Sequence, residues 1–316
     1  MPVKNASDFL EECLDSILNQ SFENWELIAV DDHSEDHSST ILDAYSVKDS
    51  RIKWLKNEGD GIISALQTAF ESSSGSFISR MDADDLMPVN KLLTLYKGLR
   101  RREKVVVTAQ VRYFSENEVS EGYRRYENWL NEVVRDHSFK DYLYRECVIA
   151  SPNWMVHRHC FEKYFRFSSL NYPEDYDMVF QWVKAGYKLE GIEAITHLWR
   201  EHPKRTSRNS DIYQQASFFR LKTTYFLAFH KENKDEIQLI GSSKKAKLVA
   251  ELLREKDVDF RCFDLNTSKD QVHSVHELKP QLSILTNWPL AVEEQETITS
   301  FLASKGLIFG KNLWLF

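Results

Sequence analysis

Apolar positions in the first 114 residues follow two alternating periods. Residues at helical spacing predict a helix over 9–18, and the apolar run at 25–30 has the length of a strand. Strands separated by helices of this length indicate parallel crossover units with helices on both faces of a sheet, and hence an α/β fold. The further predicted elements are helices over 38–48, 62–70 and 88–102 and strands over 52–56, 76–81 and 105–114.

The periodicity is harder to interpret from 115 to 170, where polar and aromatic residues mix. Beyond this region, Pro173 and Gly186 bracket a predicted helix, because proline favours the first turn of a helix and glycine favours its end. The elements predicted after residue 114 are strands over 154–157 and 192–198, helices over 158–164 and 174–185, and a long amphipathic helix over 211–230.

A charged run at 231–235 has the composition of a linker and is followed by a second, smaller α/β pattern. We therefore predict a first domain over 1–230 and a C-terminal domain over 236–316. The elements predicted in the C-terminal domain are strands over 237–240, 259–263 and 282–286 and helices over 244–256 and 292–304.

Composition narrows the classes of protein to be considered. The chain has 316 residues, with 41 Lys and Arg against 48 Asp and Glu, so its formal net charge is −7 and nucleic acid is not an expected partner. No run approaches the ~20 apolar residues that span a bilayer, and acidic residues from Asp8 to Asp15 argue against a signal peptide. We expect a cytoplasmic protein with at most peripheral contact with the inner face of a membrane. The four separated cysteines are expected to be buried, reduced thiols.

Two acidic clusters follow predicted strands. Asp31 and Asp32 follow the apolar run at 25–30, and Asp82, Asp84 and Asp85 follow the strand over 76–81. Because the carboxyl ends of parallel strands meet at one edge of a sheet, we expect the clusters to lie close together. Carboxylates crowded in this way are typical of a Mg²⁺ or Mn²⁺ site. The alternative is that these residues only cap helices.

At this point the sequence resembles family 2 glycosyltransferases of the GT-A fold. The segment over 75–85 is similar to the Asp-x-Asp region of that family, 173–177 to its Glu-Asp motif, and 199–202 with 206–207 to its Tyr-Arg-x-His region. Together with an opening segment that matches at 1–5 and 17–34, these motifs occur in the family's order. The resemblance covers about residues 1–205.

The resemblance implies a nucleotide-sugar donor, a divalent cation (Mn²⁺ or Mg²⁺) and inversion at the anomeric carbon. It divides the first domain into a nucleotide-sugar half over about 1–114 and an acceptor half over about 115–230. The C-terminal domain is similar to small Rossmann-like domains appended to some bacterial glycosyltransferases, for which we expect a packing, dimerisation or docking role.

The resemblance also implies the residues that bind the nucleotide. Pro2, Val3 and Lys4 would line the base pocket, and Asp32 would form a hydrogen bond with the base, usually uracil. Lys4 stands where the family often has tyrosine. The family normally has several strand residues before the Met-Pro-Val segment, so we expect either an upstream start or a first strand that is only a stub.

Chemical roles follow from the resemblance in the same way. Asp82 would contact the ribose or the metal, Asp84 would coordinate the metal on the diphosphate, and Asp175 would be the general base. Glycosyl transfer needs these functions, because the leaving diphosphate must be stabilised and the acceptor hydroxyl must lose its proton. Further donor-binding candidates are Arg80, Arg200 and His202. Arg200 and His202 lie in a basic segment with Lys204, Arg205 and Arg208, whose positive charge can offset the negative charge of the donor diphosphate. The alternative is that this segment is only a solvated loop.

The sequence therefore predicts a metal-dependent, inverting glycosyltransferase that moves a sugar from a UDP-sugar to a hydroxyl of a glycan or lipid-linked acceptor. One alternative is a GT-A domain that binds nucleotide-sugar or a partner without turnover. Another is a phosphohydrolase using Asp82 and Asp84, but Leu86 occupies the position where that motif requires threonine.

Overall fold

The computed structural model describes residues 1–164, 173–203, 205, 214–231, 236–265, 274–289 and 291–316. The chain forms two compact units, the first spanning 1–138 with 148–209 and the second spanning 139–147 with 210–316. Of the predicted linker over 231–235, residues 232–235 lie outside the described residues.

The first unit alternates strands and helices along most of its length. Apolar residues at helical spacing explain the first helix, in which Leu10, Cys13, Leu14 and Ile17 are all buried. The elements are β1 (Pro2–Val3), α1 (Leu10–Leu18), β2 (Leu27–Asp31), α2 (Ser38–Lys48), β3 (Ile52–Lys56), α3 (Gly61–Ser72), β4 (Phe77–Ser79), α4 (Lys91–Leu99), β5 (Val105–Phe114), α5 (Glu121–Arg135), β6 (Trp154–His157), α6 (Arg158–Tyr164), α7 (Glu174–Lys184) and β7 (Lys188–Arg200).

The first sheet of this unit is parallel, as the sequence pattern predicts. Its order is β1-β2-β3, and β1 contributes only two residues to the pairing with β2. All five residues of β2 are buried, because both faces of this central strand are covered. Asp31 is the last residue of β2 and Asp32 follows it, so this acidic pair marks the carboxyl end of the strand.

The second sheet corrects the prediction that the strands of the first 114 residues form one parallel sheet. Its order is β4-β6-β5-β7, with β6 antiparallel to both of its neighbours and only β5 and β7 parallel. β4 therefore belongs to a different sheet from β2. A cavity of about 460 Å³ is lined by residues of both sheets, among them Ile28 of β2 and Phe77 of β4.

Helix α5 lies in the region where the periodicity is difficult to interpret. Ser120 caps it by accepting a hydrogen bond from the backbone of Tyr123, and three of its residues are buried: Leu130, Val133 and Val134. A Cβ atom on Gly191 of β7 would lie 2.0 Å from the carbonyl oxygen of Val134, so only glycine allows the helix this close to the strand.

The second unit contains a four-stranded parallel sheet with the order β11 (Leu313–Leu315), β10 (Ser283–Leu285), β8 (Ile237–Ile240) and β9 (Phe260–Phe263). Helix 215–230, which the sequence places at the end of the first domain, contacts the end of the chain instead: the ring of Phe226 lies 5.4 Å from that of Phe316. The elements are α8 (Gln215–His230), β8 (Ile237–Ile240), α9 (Lys244–Glu255), β9 (Phe260–Phe263), a 3-10 helix (Val275–Glu277), β10 (Ser283–Leu285), α10 (Val292–Ser304) and β11 (Leu313–Leu315).

The four cysteines are reduced thiols, three of them buried and Cys262 partly buried. Among the described helices, none combines the length and the apolar character needed to cross a bilayer.

Candidate active site

The acidic segment over 82–85 follows β4 and is fixed by a short backbone bridge to β7. Leu86 and Leu198 exchange two backbone hydrogen bonds, of 3.0 and 3.1 Å. Met81 and Ala83 pack in the same apolar cluster as Val3, whose carbonyl accepts a 2.7 Å hydrogen bond from the backbone of Asp32. The two acidic clusters therefore share one core, although their strands belong to different sheets.

Asp84 is held by the segment that follows β7. The Nε2 atom of His202 lies 2.9 Å from Asp84 Oδ2, and Arg200 Nε donates to the backbone carbonyl of Asp84 at 2.8 Å. Burial opposes ionisation of Asp84, but the hydrogen bond from His202 and the positive charge of Arg205 outweigh it, so the pKa of this carboxyl lies below its usual value. Asp84 is thus an anion at neutral pH.

Arg80 joins the acidic segment to the first turn of α7. Its Nε donates to Asp82 Oδ1 and its Nη1 donates to Glu174 Oε1, both at 3.0 Å. Only 4% of the Arg80 side chain is exposed, whereas 24% of the Asp82 side chain is. Arg80 therefore positions a carboxylate that is still accessible to a ligand.

Asp175, the predicted general base, is the second residue of α7 and follows Glu174. Burial raises the pKa of its carboxyl, and the negative charge of Glu174 raises it further, while Arg80 opposes the shift. The charge of Asp82 acts in the same direction as that of Glu174. Asp175 therefore lies within electrostatic reach of the acidic segment, with a proton affinity suited to general-base chemistry near neutral pH.

Asp32 is oriented by the start of α3. Its Oδ1 accepts hydrogen bonds from Asn57 Nδ2 at 2.6 Å and from the backbone of Gly61 at 3.0 Å. Its Oδ2 lies 3.4 Å from the ammonium of Lys4, a side chain that is 57% exposed. One carboxylate oxygen is thus fixed by the protein, and the other lies beside the solvent-facing ammonium of Lys4.

Pro2 and Val3, the other predicted base-pocket residues, form β1 beside β2. Val3 is buried and Pro2 is partly buried. They are neighbours of Asp32 and Lys4, so the structure brings the four predicted base-pocket residues together.

A buried polar chain behind Asp84 joins Asp85 to His197 and Lys91, two residues that the sequence analysis missed. Asp85 Oδ2 lies 2.9 Å from His197 Nε2, and His197 Nδ1 lies 3.0 Å from Lys91 Nζ. Burial lowers the pKa of His197 well below its usual value, and the charge of Lys91 adds to this effect, so the ring is neutral. Asp85 Oδ1 also accepts from the backbone of Arg200 at 2.8 Å.

The chemistry of the accessible donors suits a hard divalent cation. Asp82 and Asp84 offer carboxylate oxygens on side chains that are 24% and 28% exposed. Oxygen donors of this kind suit Mg²⁺ and Mn²⁺. The residues present therefore fit the cation that the sequence resemblance implies.

Further site residues escaped the sequence analysis because their partners are distant in the chain. Glu12 accepts from Arg200 Nη2 at 2.5 Å, and the Cys13 thiol lies 3.5 Å from the carbonyl oxygen of Asp82. The sequence offers one signal of a buried polar residue: Lys91 is a charged side chain on the apolar face of its helix. Lys204 and Arg208 lie outside the described residues.

The chain belongs to glycosyltransferase family 2. The family described as "Glycosyl transferase family 2" matches residues 1–165, which is more than half of the chain. Among curated relatives, two are glycosyltransferases GlyA and GlyG of Streptococcus pneumoniae, each 32% identical over 37% of this chain. The matched regions cover only 17% of GlyA and 40% of GlyG.

A third relative is UDP-Glc:alpha-D-GlcNAc-diphosphoundecaprenol beta-1,3-glucosyltransferase WfgD of Escherichia coli. It is 41% identical over 93 residues, which cover 29% of this chain and 36% of WfgD. The chain thus covers less than half the length of any of these three relatives.

Solved structures establish the GT-A fold. TarS of S. aureus in complex with UDP-GlcNAc matches with a TM-score of 0.53 and 15% identity, covering 80% of this chain and 70% of that one. The mannosyltransferase PcManGT of Pyrobaculum calidifontis, in complex with GDP-Man and Mn²⁺, also has a TM-score of 0.53, with 17% identity and coverage of 79% and 66%. The predicted family and fold are confirmed.

Proposed function

We propose that this chain is a metal-dependent, inverting glycosyltransferase that transfers a sugar from a UDP-sugar to a hydroxyl of a glycan or lipid-linked acceptor. The observation that carries the proposal is the pair of hydrogen bonds from Arg80, which join Asp82 to Glu174 at the start of α7. This connection supports a single site in which the acidic segment binds the donor and Asp175, next to Glu174, accepts the proton.

Asp32 recognises the base of the donor. Its Oδ2 accepts the imide N–H of uracil, while Asn57 and Gly61 hold its Oδ1. Lys4, at 3.4 Å from Oδ2, moves toward the nucleotide when the base binds. Pro2 and Val3 contribute the apolar side of the pocket. WfgD and TarS, whose names or complexes include UDP-sugars, support uracil over other bases.

Asp84 and Asp82 would hold Mn²⁺ or Mg²⁺, and His202 orients Asp84 through the 2.9 Å contact with Oδ2. When bound, this cation offsets the negative charge that develops on the leaving diphosphate. The complex of PcManGT with GDP-Man and Mn²⁺ supports a divalent cation. Arg200 and Arg80 keep the two aspartates in place by contacting the Asp84 carbonyl and the Asp82 carboxylate.

Asp175 accepts the proton of the attacking hydroxyl. As the acceptor oxygen bonds to the anomeric carbon, the bond from that carbon to the diphosphate oxygen breaks on the opposite side, which inverts the configuration. The carboxyl of Asp175 has a raised pKa because of burial and the neighbouring Glu174, so it binds the proton more readily than an ordinary aspartate. The lipid-linked acceptor in the name of WfgD supports an acceptor of that class.

The test is a panel of nucleotide-sugars measured first by thermal shift and then by turnover. With Mn²⁺ present, one UDP-sugar should raise the melting temperature more than GDP-sugars or sugars that carry no nucleotide, because a ligand that binds the folded state stabilises it. Release of UDP from that donor with an acceptor present would establish transfer. A thermal shift without turnover on any glycan or lipid-linked acceptor would favour the alternative of a GT-A domain that binds nucleotide-sugar without catalysis.

A further inference from the structure

Three side chains of different chemistry come together in the first unit, and none of them belongs to the acidic segment. Glu103 lies just before β5, and His159 and Cys160 lie at the start of α6. His159 Nε2 is 3.0 Å from Glu103 Oε2 and 3.3 Å from Cys160 Sγ. One carboxylate oxygen, one imidazole nitrogen and one sulfur lie within 4.8 Å of one another.

Hydrogen bonds can connect these three side chains. The Nε2 atom of His159 can direct a proton at Glu103, with the Cys160 sulfur as a weaker second acceptor. In the other tautomer the same nitrogen offers a lone pair, as a metal ligand does. Carboxylate oxygen, imidazole nitrogen and thiolate sulfur are all ligands that zinc binds in proteins.

We propose that Glu103, His159 and Cys160 form a binding site for a zinc-class divalent cation. Zinc binds thiolate sulfur at ~2.3 Å, and imidazole nitrogen and carboxylate oxygen at ~2.0–2.2 Å, in tetrahedral geometry. Such bonds separate neighbouring ligand atoms by about 3.3–3.6 Å. The two contacts of His159 Nε2, 3.0 and 3.3 Å, therefore need to open by only a few tenths of an ångström, and the Glu103 oxygen and the Cys160 sulfur lie within 4.8 Å of each other. Three protein ligands leave the fourth position for water.

The ligand set distinguishes this site from the acidic segment. Sulfur and nitrogen donors select zinc-class ions, whereas the carboxylates of Asp82 and Asp84 select Mg²⁺ or Mn²⁺. Binding converts the Cys160 thiol to a thiolate and releases its proton to solvent, while the lone pair of His159 Nε2 bonds to the ion. The ion would then link the segment before β5 to α6, across 56 residues of sequence.

The experiment is titration of the full chain with Co²⁺, which substitutes for zinc and reports sulfur ligation. We expect one equivalent of Co²⁺ to produce a near-ultraviolet sulfur-to-metal charge-transfer band that Zn²⁺ abolishes and excess Mg²⁺ does not. His159→Gln and Glu103→Gln change side chains that are 62% and 74% exposed, so both variants should fold. Each should lower Co²⁺ affinity at least about tenfold. Cys160→Ser should remove the band.

Two control variants locate the signal. Cys262→Ser alters another thiol, and Asp84→Asn alters the oxygen-donor site, so both should keep the band. The proposal is overturned if the unaltered chain gives no band, or if the band persists at full affinity in His159→Gln. It is also overturned if Cys262→Ser, rather than Cys160→Ser, removes the band.

Discussion

The guanidinium of Arg80 donates to the carboxylate of Glu174 at 3.0 Å, although 94 residues separate them in the sequence. Their side chains are only 4% and 5% exposed. A buried pair of this kind is costly to break, because removing one partner leaves the other charged and buried. The contact therefore ties the geometry of the two halves of the site together.

Arg80→Met should lower the free energy of unfolding by about 3–5 kcal/mol, the usual cost of leaving one buried charge without its partner. It should also weaken UDP binding, because Asp82 loses its 3.0 Å hydrogen bond. Chemical denaturation and calorimetry measure the two effects. Arg100→Met is the matched control, since Arg100 is exposed, and it should change stability by no more than about 0.5 kcal/mol.

A double-variant cycle separates the ion pair from general loss of packing. Arg80→Met combined with Glu174→Gln should cost less than the sum of the two single changes, because no buried charge is left alone. Strictly additive losses would contradict an energetic link between the two residues.

Asp175→Asn should lower the rate of sugar transfer by ~10²–10⁴, because asparagine keeps the size of the side chain but cannot accept a proton. UDP affinity should change little, and the melting temperature should not fall. Single-turnover kinetics with saturating donor measures the chemical step. Asp177→Asn, in the same helix turn, should have a much smaller effect on rate. A variant that melts markedly earlier yet transfers normally per folded molecule would instead make Asp175 a helix-capping residue.

The pH dependence of transfer follows from the same group. Burial, and then the charge of Glu174, raise the pKa of Asp175 to about 7, and a general base works only when ionised. The rate should therefore fall as pH drops through about 7, and the much lower rate of the Asp175→Asn variant should not show this fall. Because the folded pKa is raised, the contribution of Asp175 to stability is complete below its unfolded pKa and is lost as pH rises through the folded value. Asp175→Asn should remove that loss, which thermal melts across pH would detect.

Lys91→Met tests the buried chain behind the acidic segment. Lys91 is fully buried and donates to the Pro152 carbonyl at 2.6 Å as well as to His197. The variant should lower the free energy of unfolding by about 1–3 kcal/mol, because buried acceptors lose their donor. Lys97→Met, on the exposed face of the same helix α4, should be nearly neutral. Equal stability of the two variants would contradict a structural role for the chain.

The sequence predicts elements well where a single period dominates. The strand predicted over 105–114 and the helix predicted over 38–48 have the bounds that β5 and α2 show in the structure. Strand direction cannot be predicted in this way, because side chains alternate identically in a parallel and an antiparallel strand. The pairing of β4 with β6 therefore could not be predicted from periodicity.

Site residues divide in a similar way. Asp32, Asp82, Asp84 and Asp175 lie in short local motifs, so the sequence nominates them directly. Lys91 and His197 are 106 residues apart, and neither stands in a motif. Their relationship depends on the packing of α4 against β7, which only the folded chain reveals.

The most direct test of the proposed function is calorimetric titration with UDP in the presence of Mn²⁺ or of EDTA. Asp84 and the diphosphate are both anionic and repel each other without a cation, so UDP should bind tightly with Mn²⁺ and at least about tenfold more weakly in EDTA. Asp84→Asn should lose most of the difference between the two conditions. Equal UDP affinity with Mn²⁺ and with EDTA in the unaltered chain would contradict the assignment of Asp82 and Asp84 to a divalent cation at the donor diphosphate.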